Sequence, residues 1–484
     1  MTLPGASTTA VRTPGVSVRR LLAKPETWVL LVAVGYCLAQ LVLLETDRFL
    51  TWDEAVYLSE VRPQADPVGM GAHRARGITL LVAPVALLTD SMLVLRVYLA
   101  VVSSAVLFLA FVVWCRSIGW SAPVAAAILA SSWVAVFYGS AIYPNLYSGL
   151  LSVAAIGWAL AHARSPVRLG NLTILALVAL VTLIRPLDSL LLVLGLVVVA
   201  LVVDRHMTLT LTGAGLAGLA LGAVPWAIEG WVRFGGPIRR LELSREVVGG
   251  GMGNNVAEYL RLLDGSGSVN TVAVVSLGAL ILLGLLGLTS RERVARQAAA
   301  ASLTAAILFS APYLFATEHV VQRFLLGALG FLAIAAALGS MTIAERIGNR
   351  ITTAVAVVAV LLLLLSAWNL PALRAWDERQ TGNGLTALHV GRAIRSAVAT
   401  ESCFFLAPSN HPAISFASGC RGATLGQELE ANVSALETAG GDGSQLFVAT
   451  NSRDPGSLIG DGWRCDAIPP LAERGWQLCT PFTQ

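Results

Sequence analysis

The stretch Arg48-Phe-Leu-Thr-Trp-Asp53-Glu54-Ala-Val-Tyr57 sets two adjacent carboxylates directly after a long apolar run. A carboxylate placed within hydrogen-bond reach of a nucleophile can take its proton, so Asp53 and Glu54 are candidate catalytic residues. The same residues also have a structural use. Thr51 and Glu54 have the spacing of a capping box, and Asp53 adds negative charge at the positive end of the helix that would follow. The two uses are compatible. A second cluster, Ile-Arg185-Pro186-Leu-Asp188, places opposite charges three residues apart beside a helix-breaking proline. It reads either as a purely local ion pair or as an arginine whose orientation Asp188 fixes. No GxGxxG, Walker A, HExxH or metal-spaced Cys/His set is present, so no cofactor is certain, and a divalent metal is left open.

The elements that must position these residues are membrane spans. Of 484 residues, 56% are hydrophobic and only 13% charged, against about 25% charged in an ordinary soluble protein. The mean hydropathy is +0.72. Apolar runs of span length cover 28–45, 95–115, 121–141, 147–163, 171–185, 187–203, 208–228, 269–289, 298–317, 325–343 and 351–369, which is about 11 transmembrane helices. The run from Ile78 to Asp90 is too short to cross and carries Pro84, as an interfacial or re-entrant helix would. With the N-terminus cytoplasmic, Arg116, Arg164 with Arg168, Arg205, Arg291 with Arg293 and Arg296, and Arg346 with Arg350 all fall on inner turns. The positive charge is spread over span ends instead of one basic face, which excludes a nucleic-acid footprint.

That orientation puts the loops 46–94 and 229–268 and everything beyond 370 outside the cytoplasm. Residues 1–24 read as a cytoplasmic disordered tail and 25–370 as the transmembrane domain. The segment 371–484 alternates a helix (Leu385–Ala399), a strand (Cys403–Ala407), a helix (Glu428–Thr438) and a strand (Gln445–Thr450), a small extracytoplasmic α/β domain. Cys403, Cys420, Cys465 and Cys479 all lie in it, an even set suited to an oxidising compartment, with Cys403–Cys420 and Cys465–Cys479 paired by proximity along the chain.

An Asp-Glu pair closing the first span, followed by an interfacial segment and a long second span, resembles the GT-C class of membrane glycosyltransferases. The likeness is to the branch of protein O-mannosyltransferases and aminoarabinose transferases, and it covers the arrangement of residues 25–370. The chain departs from that branch where relatives carry a Lys/His-Pro-Pro-Leu sequence, since it reads Ala72-His73-Arg74-Ala75-Arg76-Gly77. The resemblance implies a polyprenyl-phosphate sugar donor and a cell-envelope glycan, lipid or protein as acceptor. It makes Asp53 the general base. Arg74, Arg76, Arg185, Arg239, Arg240 and Arg323 then become candidates for binding the donor phosphate, since guanidinium grips phosphate with paired hydrogen bonds, although arginines at span ends also snorkel to the interface. His73, Tyr143, Asp188 and His319 are supporting or acceptor-side candidates, and Tyr143 is equally an interfacial anchor. The polar loop 229–268, with Gly249–Gly251, is either a lid over the site or a hydrated connector. The alternatives are a transporter or lipid flippase, which would need ionisable groups near the midplane of the spans, and a GT-C-like scaffold without catalysis.

Overall fold

The computed structural model describes residues 23–62, 69–248, 253–262, 270–318, 320–347, 350–400 and 402–482. The chain is a multi-pass α-helical membrane protein carrying a small sheet domain at its C-terminal end. Among the described residues, eight helices are long and apolar enough to cross a bilayer. The three remaining expected spans are broken or shorter. The run 121–141 is two helices, Ser121–Ala130 and Trp133–Gly139, bent by 75° at Ser131 and Ser132. The Trp133 N–H at the start of the second piece donates to Asn369 Oδ1 at 2.8 Å, a buried polar group satisfied from another helix. Counted as one span, the pair gives nine. Gly170–Ile184 and Thr271–Gly287 are apolar helices of 15 and 17 residues, the first stopped where Arg185 and Pro186 turn the chain. Gly77–Ala86, with Pro84 inside it, is the short helix the sequence suggests.

Pro144–Arg164 and Gln322–Ile347 are the most buried of the long helices and form the centre of the bundle. They cross where Gly149 meets Gly327: a Cβ on Gly149 would lie 2.9 Å from the Gly327 Cα. Glycine at both positions lets the backbones touch, which is how helices gain contact in a medium as apolar as their side chains. Around this core, Leu38, Val42, Leu209 and Val232 are exposed, a surface solvated by lipid.

The expected loop 229–268 is largely helical. The helix from Thr208 runs to Phe234, Pro237–Val248 follows after the left-handed Gly235, and Val256–Leu262 forms a third piece. Gly249–Gly251 of the expected lid lie outside the described residues, as do residues 1–22 of the expected tail. The helix that holds the last expected span likewise continues past 370. One helix of 48 residues, Arg350–Ala397, carries the chain straight into the C-terminal domain, a rod of about 72 Å at 1.5 Å per residue.

That domain holds a five-stranded sheet in the order β2-β1-β3-β5-β4, with β1 (Cys403–Ala407), β2 (Arg421–Thr424) and β3 (Gln445–Thr450) parallel and β4 (Trp463–Ala467) and β5 (Gln477–Pro481) antiparallel. β1 and β3 match the sequence reading. β2, β4 and β5 escape it because they are short and half exposed, without the apolar run that marks a buried strand. Disulfides join Cys403 to Cys420 and Cys465 to Cys479. The domain is not tethered loosely. Phe405, Ile414 and Phe447 share one buried cluster with Val390 and Ile394 of the long helix and with Phe49, Leu50 and Tyr57 of the first loop. At Gly391 a Cβ would come within 2.4 Å of Ala417. Such a continuous apolar seam fixes the domain over the bundle end, unlike the polar contacts of domains that move freely.

Candidate active site

Asp53 and Glu54 lie in the first turn of the Trp52–Ser59 helix and meet different partners. The Glu54 side chain is fully buried. Its Oε2 accepts the Thr51 N–H at 3.0 Å and the Thr51 hydroxyl at 2.9 Å, and its Oε1 accepts the Ile142 N–H at 3.0 Å. The guanidinium of Arg96, also fully buried, pairs with both oxygens. Arg48 stands close by, held by Ser140 Oγ at 3.2 Å, by Asp377 at 3.6 Å and over the Phe137 ring. Burial alone would raise the Glu54 pKa, yet Arg96, Arg48 and the Thr51 N–H reverse that and bring it to about 2. The acceptor positions of Glu54 are filled by protein, and it is not among the residues that line the cavity. It completes the capping box and ties the first loop to the turn at Ser140–Ile142.

Asp53 instead lines a cavity of about 740 Å³. Its two oxygens are divided between two arginines: Arg74 donates to Oδ1 at 2.5 Å and Arg323 to Oδ2 at 2.7 Å. Burial pushes the carboxyl pKa up, and Arg323 and then Arg74 outweigh burial and hold it below the ordinary value. Arg323 also sits 4.6 Å over the Tyr143 ring, and the Tyr143 hydroxyl is 2.7 Å from Thr51 Oγ1. On the same cavity, Arg185 pairs with Asp188 at 3.1 Å and donates to the Tyr313 hydroxyl at 2.7 Å; that hydroxyl donates in turn to Asp188 Oδ1 at 2.8 Å. Asp188 therefore holds in place an arginine that lines the cavity, which is compatible with both readings of the pair. His73 lines the cavity as well.

Three candidate phosphate ligands lie elsewhere. Arg76 is spent on Glu60 at 2.5 Å and Glu229 at 2.6 Å. Arg240 is fully buried between the rings of Trp226 and Phe234, and it donates to the carbonyls of Ala72, Trp226 and Arg74 and to Glu229. It fastens the segment that carries Arg74 to the end of the Thr208–Phe234 helix. Arg239 is exposed and pairs along its own helix with Glu242 and Glu246. None of the three lines the cavity, and spacing along the chain shows which arginines are near a loop but not which carboxylates reach them first. His319 lies outside the described residues. Among the described residues no cluster of three or more His, Cys, Asp and Glu is poised for a metal.

The sequence reading missed Trp52, Tyr57, Trp226, Tyr313 and His411, all on the cavity wall. For His411 and Tyr313 no local pattern could have revealed this, since each arrives from a distant element. Burial and the Asp53 charge raise the Tyr57 hydroxyl to about 12, which keeps it a neutral donor.

No protein-family model and no curated protein matches the chain by sequence. Solved structures do match it in three dimensions. The aminoarabinose transferase ArnT from Cupriavidus metallidurans, solved bound to undecaprenyl phosphate, superposes with a TM-score of 0.61 over 94% of this chain and 98% of its own, at 13% identity. The chain has the GT-C fold. The Archaeoglobus fulgidus oligosaccharyltransferase in its apo form is similar at a TM-score of 0.52 and 12% identity, over 90% of this chain and 72% of that one. At such identities the likeness concerns the arrangement of helices and the attached domain, and what the GT-C scaffold does here has to be argued from the cavity.

Proposed function

We propose that the chain is a glycosyltransferase that moves a sugar from a polyprenyl-phosphate donor to an acceptor outside the cytoplasm, with Asp53 as general base. The observation that carries this reading is a single carboxylate gripped by Arg74 and Arg323 in the wall of a cavity with an apolar side. Undecaprenyl phosphate bound to ArnT supports the donor class. Leu187, Trp226, Leu241 and Val247 line the cavity beside Arg185. They offer an apolar bed for a prenyl chain next to cations for its phosphate.

The extracytoplasmic location has its own support. Arg164 reaches the Val294 carbonyl and Gln297, and Arg346 reaches Thr289, so the arginine-bearing turns gather at one end of the bundle. The cavity and the disulfide-bonded domain stand at the other. By the preference of arginine for the cytoplasmic side, the cavity faces out.

In the transfer, the bond between the anomeric carbon and the phosphate oxygen breaks and its electron pair leaves with the phosphate. The acceptor oxygen forms the new bond to that carbon, and its proton passes to Asp53. Arg74, Arg323 and Arg185 stabilise the charge that grows on the leaving phosphate, and the paired geometry of guanidinium suits that task. Asp53→Asn tests the assignment. The variant is expected to fold and to bind undecaprenyl phosphate while losing roughly 10² to 10⁴ in turnover of a polyprenyl-phosphate sugar. Undiminished turnover removes Asp53 from the chemistry.

A further inference from the structure

The cavity is not built by the membrane helices alone. His411 and Pro412, at the start of the His411–Ser418 helix of the C-terminal domain, close one side of it beside Trp52 and Asp53. The imidazole of His411 meets the Trp52 indole edge-on, with ring centroids 4.3 Å apart. Two features of the small domain show that this is a built position. Asn410, directly before the helix, is the one non-glycine residue with a left-handed backbone among the described residues, at φ 52°. Asparagine is one of the few non-glycine residues that adopts this conformation readily, so the sequence itself specifies the turn that presents the helix.

The second feature is the sheet order. The chain leaves β1 toward β2 on one side and returns to β3 on the other. The loop after β1 therefore opens at the point where the strand order reverses, which is where open α/β sheets bind ligands. His411 stands on that loop, and its Nδ1 is 3.2 Å from the hydroxyl of Thr424, the last residue of β2. Two fold-level binding positions, the mouth of the bundle cavity and the reversal point of the sheet, thus coincide at one histidine.

From this juxtaposition we infer that Trp52 and His411 form the acceptor subsite and that the acceptor they select is a carbohydrate. The indole is an apolar face 38% exposed next to the base, suited to the C–H face of a sugar ring. The imidazole, held from behind by Thr424, offers Nε2 to a hydroxyl. An aromatic plate with a few convergent polar groups is how small polar ligands are oriented in a mostly apolar site. The cations and the prenyl-sized apolar wall come from the bundle helices, so the domain side is left for the second substrate. A protein acceptor would need an extended groove for a backbone, and the edge strands β2 and β4 are not among the cavity residues.

This inference rests on the transferase reading, so its test keeps the two apart. The full chain in nanodiscs is examined by saturation-transfer NMR with mannotriose and maltotriose, and separately for transfer from a polyprenyl-phosphate sugar to either trisaccharide or to a Ser/Thr peptide. Trp52→Ala and His411→Ala are expected to abolish trisaccharide saturation transfer and to raise the trisaccharide KM about tenfold, the size of one lost stacking or hydrogen-bond contact. The donor KM should shift less than twofold, and Trp52→Phe should restore most of the binding. Trisaccharide binding that Trp52→Ala and His411→Ala leave intact overturns the subsite. Transfer to the peptide and not to the sugars keeps the transferase and overturns the carbohydrate acceptor. Trisaccharide binding lost in both variants, from a protein that consumes no donor, keeps the subsite and overturns the transferase.

Discussion

Replacing Glu54 by glutamine should damage folding, not chemistry, and the contrast with its neighbour Asp53 makes the experiment informative. Glu54 and Arg96 are both fully buried, and Arg48 beside them is 1% exposed. Glutamine keeps the shape and one acceptor for the Thr51 N–H. It removes the charge facing two guanidinium groups and turns an NH₂ toward Arg96 or the Ile142 N–H, donor against donor. Arg96 would retain the Ser140 and Arg48 carbonyls at 3.0 and 3.4 Å, and Arg48 would retain Asp377. Removing one partner of a buried ion pair costs about 3–5 kcal/mol. Against a total stability of about 5–15 kcal/mol for a domain, that is a large share. The assay is thermal unfolding of purified protein by fluorescence-detected size exclusion, beside Asp53→Asn in parallel. Glu54→Gln should melt well below the parent and Asp53→Asn close to it. A Glu54→Gln protein with parental melting and no turnover would refute the reasoning, because it would mean the carboxylate acts on substrate.

Two further outcomes follow from the same contacts. Arg240→Met preserves the packing between Trp226 and Phe234 but frees the carbonyls of Ala72 and Arg74; faster hydrogen exchange over residues 70–76 and a donor KM raised by about tenfold or more are expected, since small misplacements of a binding group are costly. His411, whose pKa burial lowers to about 4, should titrate near that value in selectively labelled protein. Its folded pKa lies below the ordinary ~6.5, so the neutral ring contributes its full share of stability above ~6.5 and loses it as the pH falls toward 4; an ordinary titration midpoint would mean the ring is not buried at the seam.

Legibility in the sequence followed the range of the forces involved. Apolar runs and the arginines between them are local, so the membrane helices, the short Gly77–Ala86 helix and the attached α/β domain could all be read directly. The capping box of Thr51 and Glu54 was local too. What separated Glu54 from Asp53 was not: it depended on Arg96, Ile142, Arg74 and Arg323, brought in from four other segments. The bend after Ala130 depended on Asn369, which meets Trp133 from across the bundle. Arg240 looked like a phosphate ligand because its partners, three carbonyl oxygens and Glu229, leave no trace in residue spacing.

On the proposed function, a carboxylate that two arginines hold below its ordinary pKa would be a weak base before donor binds, and this bears on how the site would be switched on. The same guanidinium groups are the ones a donor phosphate would recruit. A phosphate that draws Arg74 and Arg323 away from Asp53 removes the interactions that lower its pKa and adds a negative charge nearby, while the burial that raises it remains. Donor binding should therefore make the carboxylate a stronger base at the moment the acceptor needs one. The acid limb of kcat/KM reports the free enzyme and that of kcat the bound complex. The first should lie below the ordinary carboxylate value of ~3.9 and the second distinctly above the first. A sugar phosphodiester does not itself titrate in this range, and the kcat limb should persist in His411→Gln, which has no imidazole at that position to titrate. Glu54, with a pKa of about 2, keeps its full contribution to stability above ~4.3 and loses it only as the pH falls further toward 2. Limbs that coincide would mean that the phosphate leaves the Asp53 pairs intact, and the arginines would then have to be counted as scaffolding for Asp53 and not as ligands of the donor.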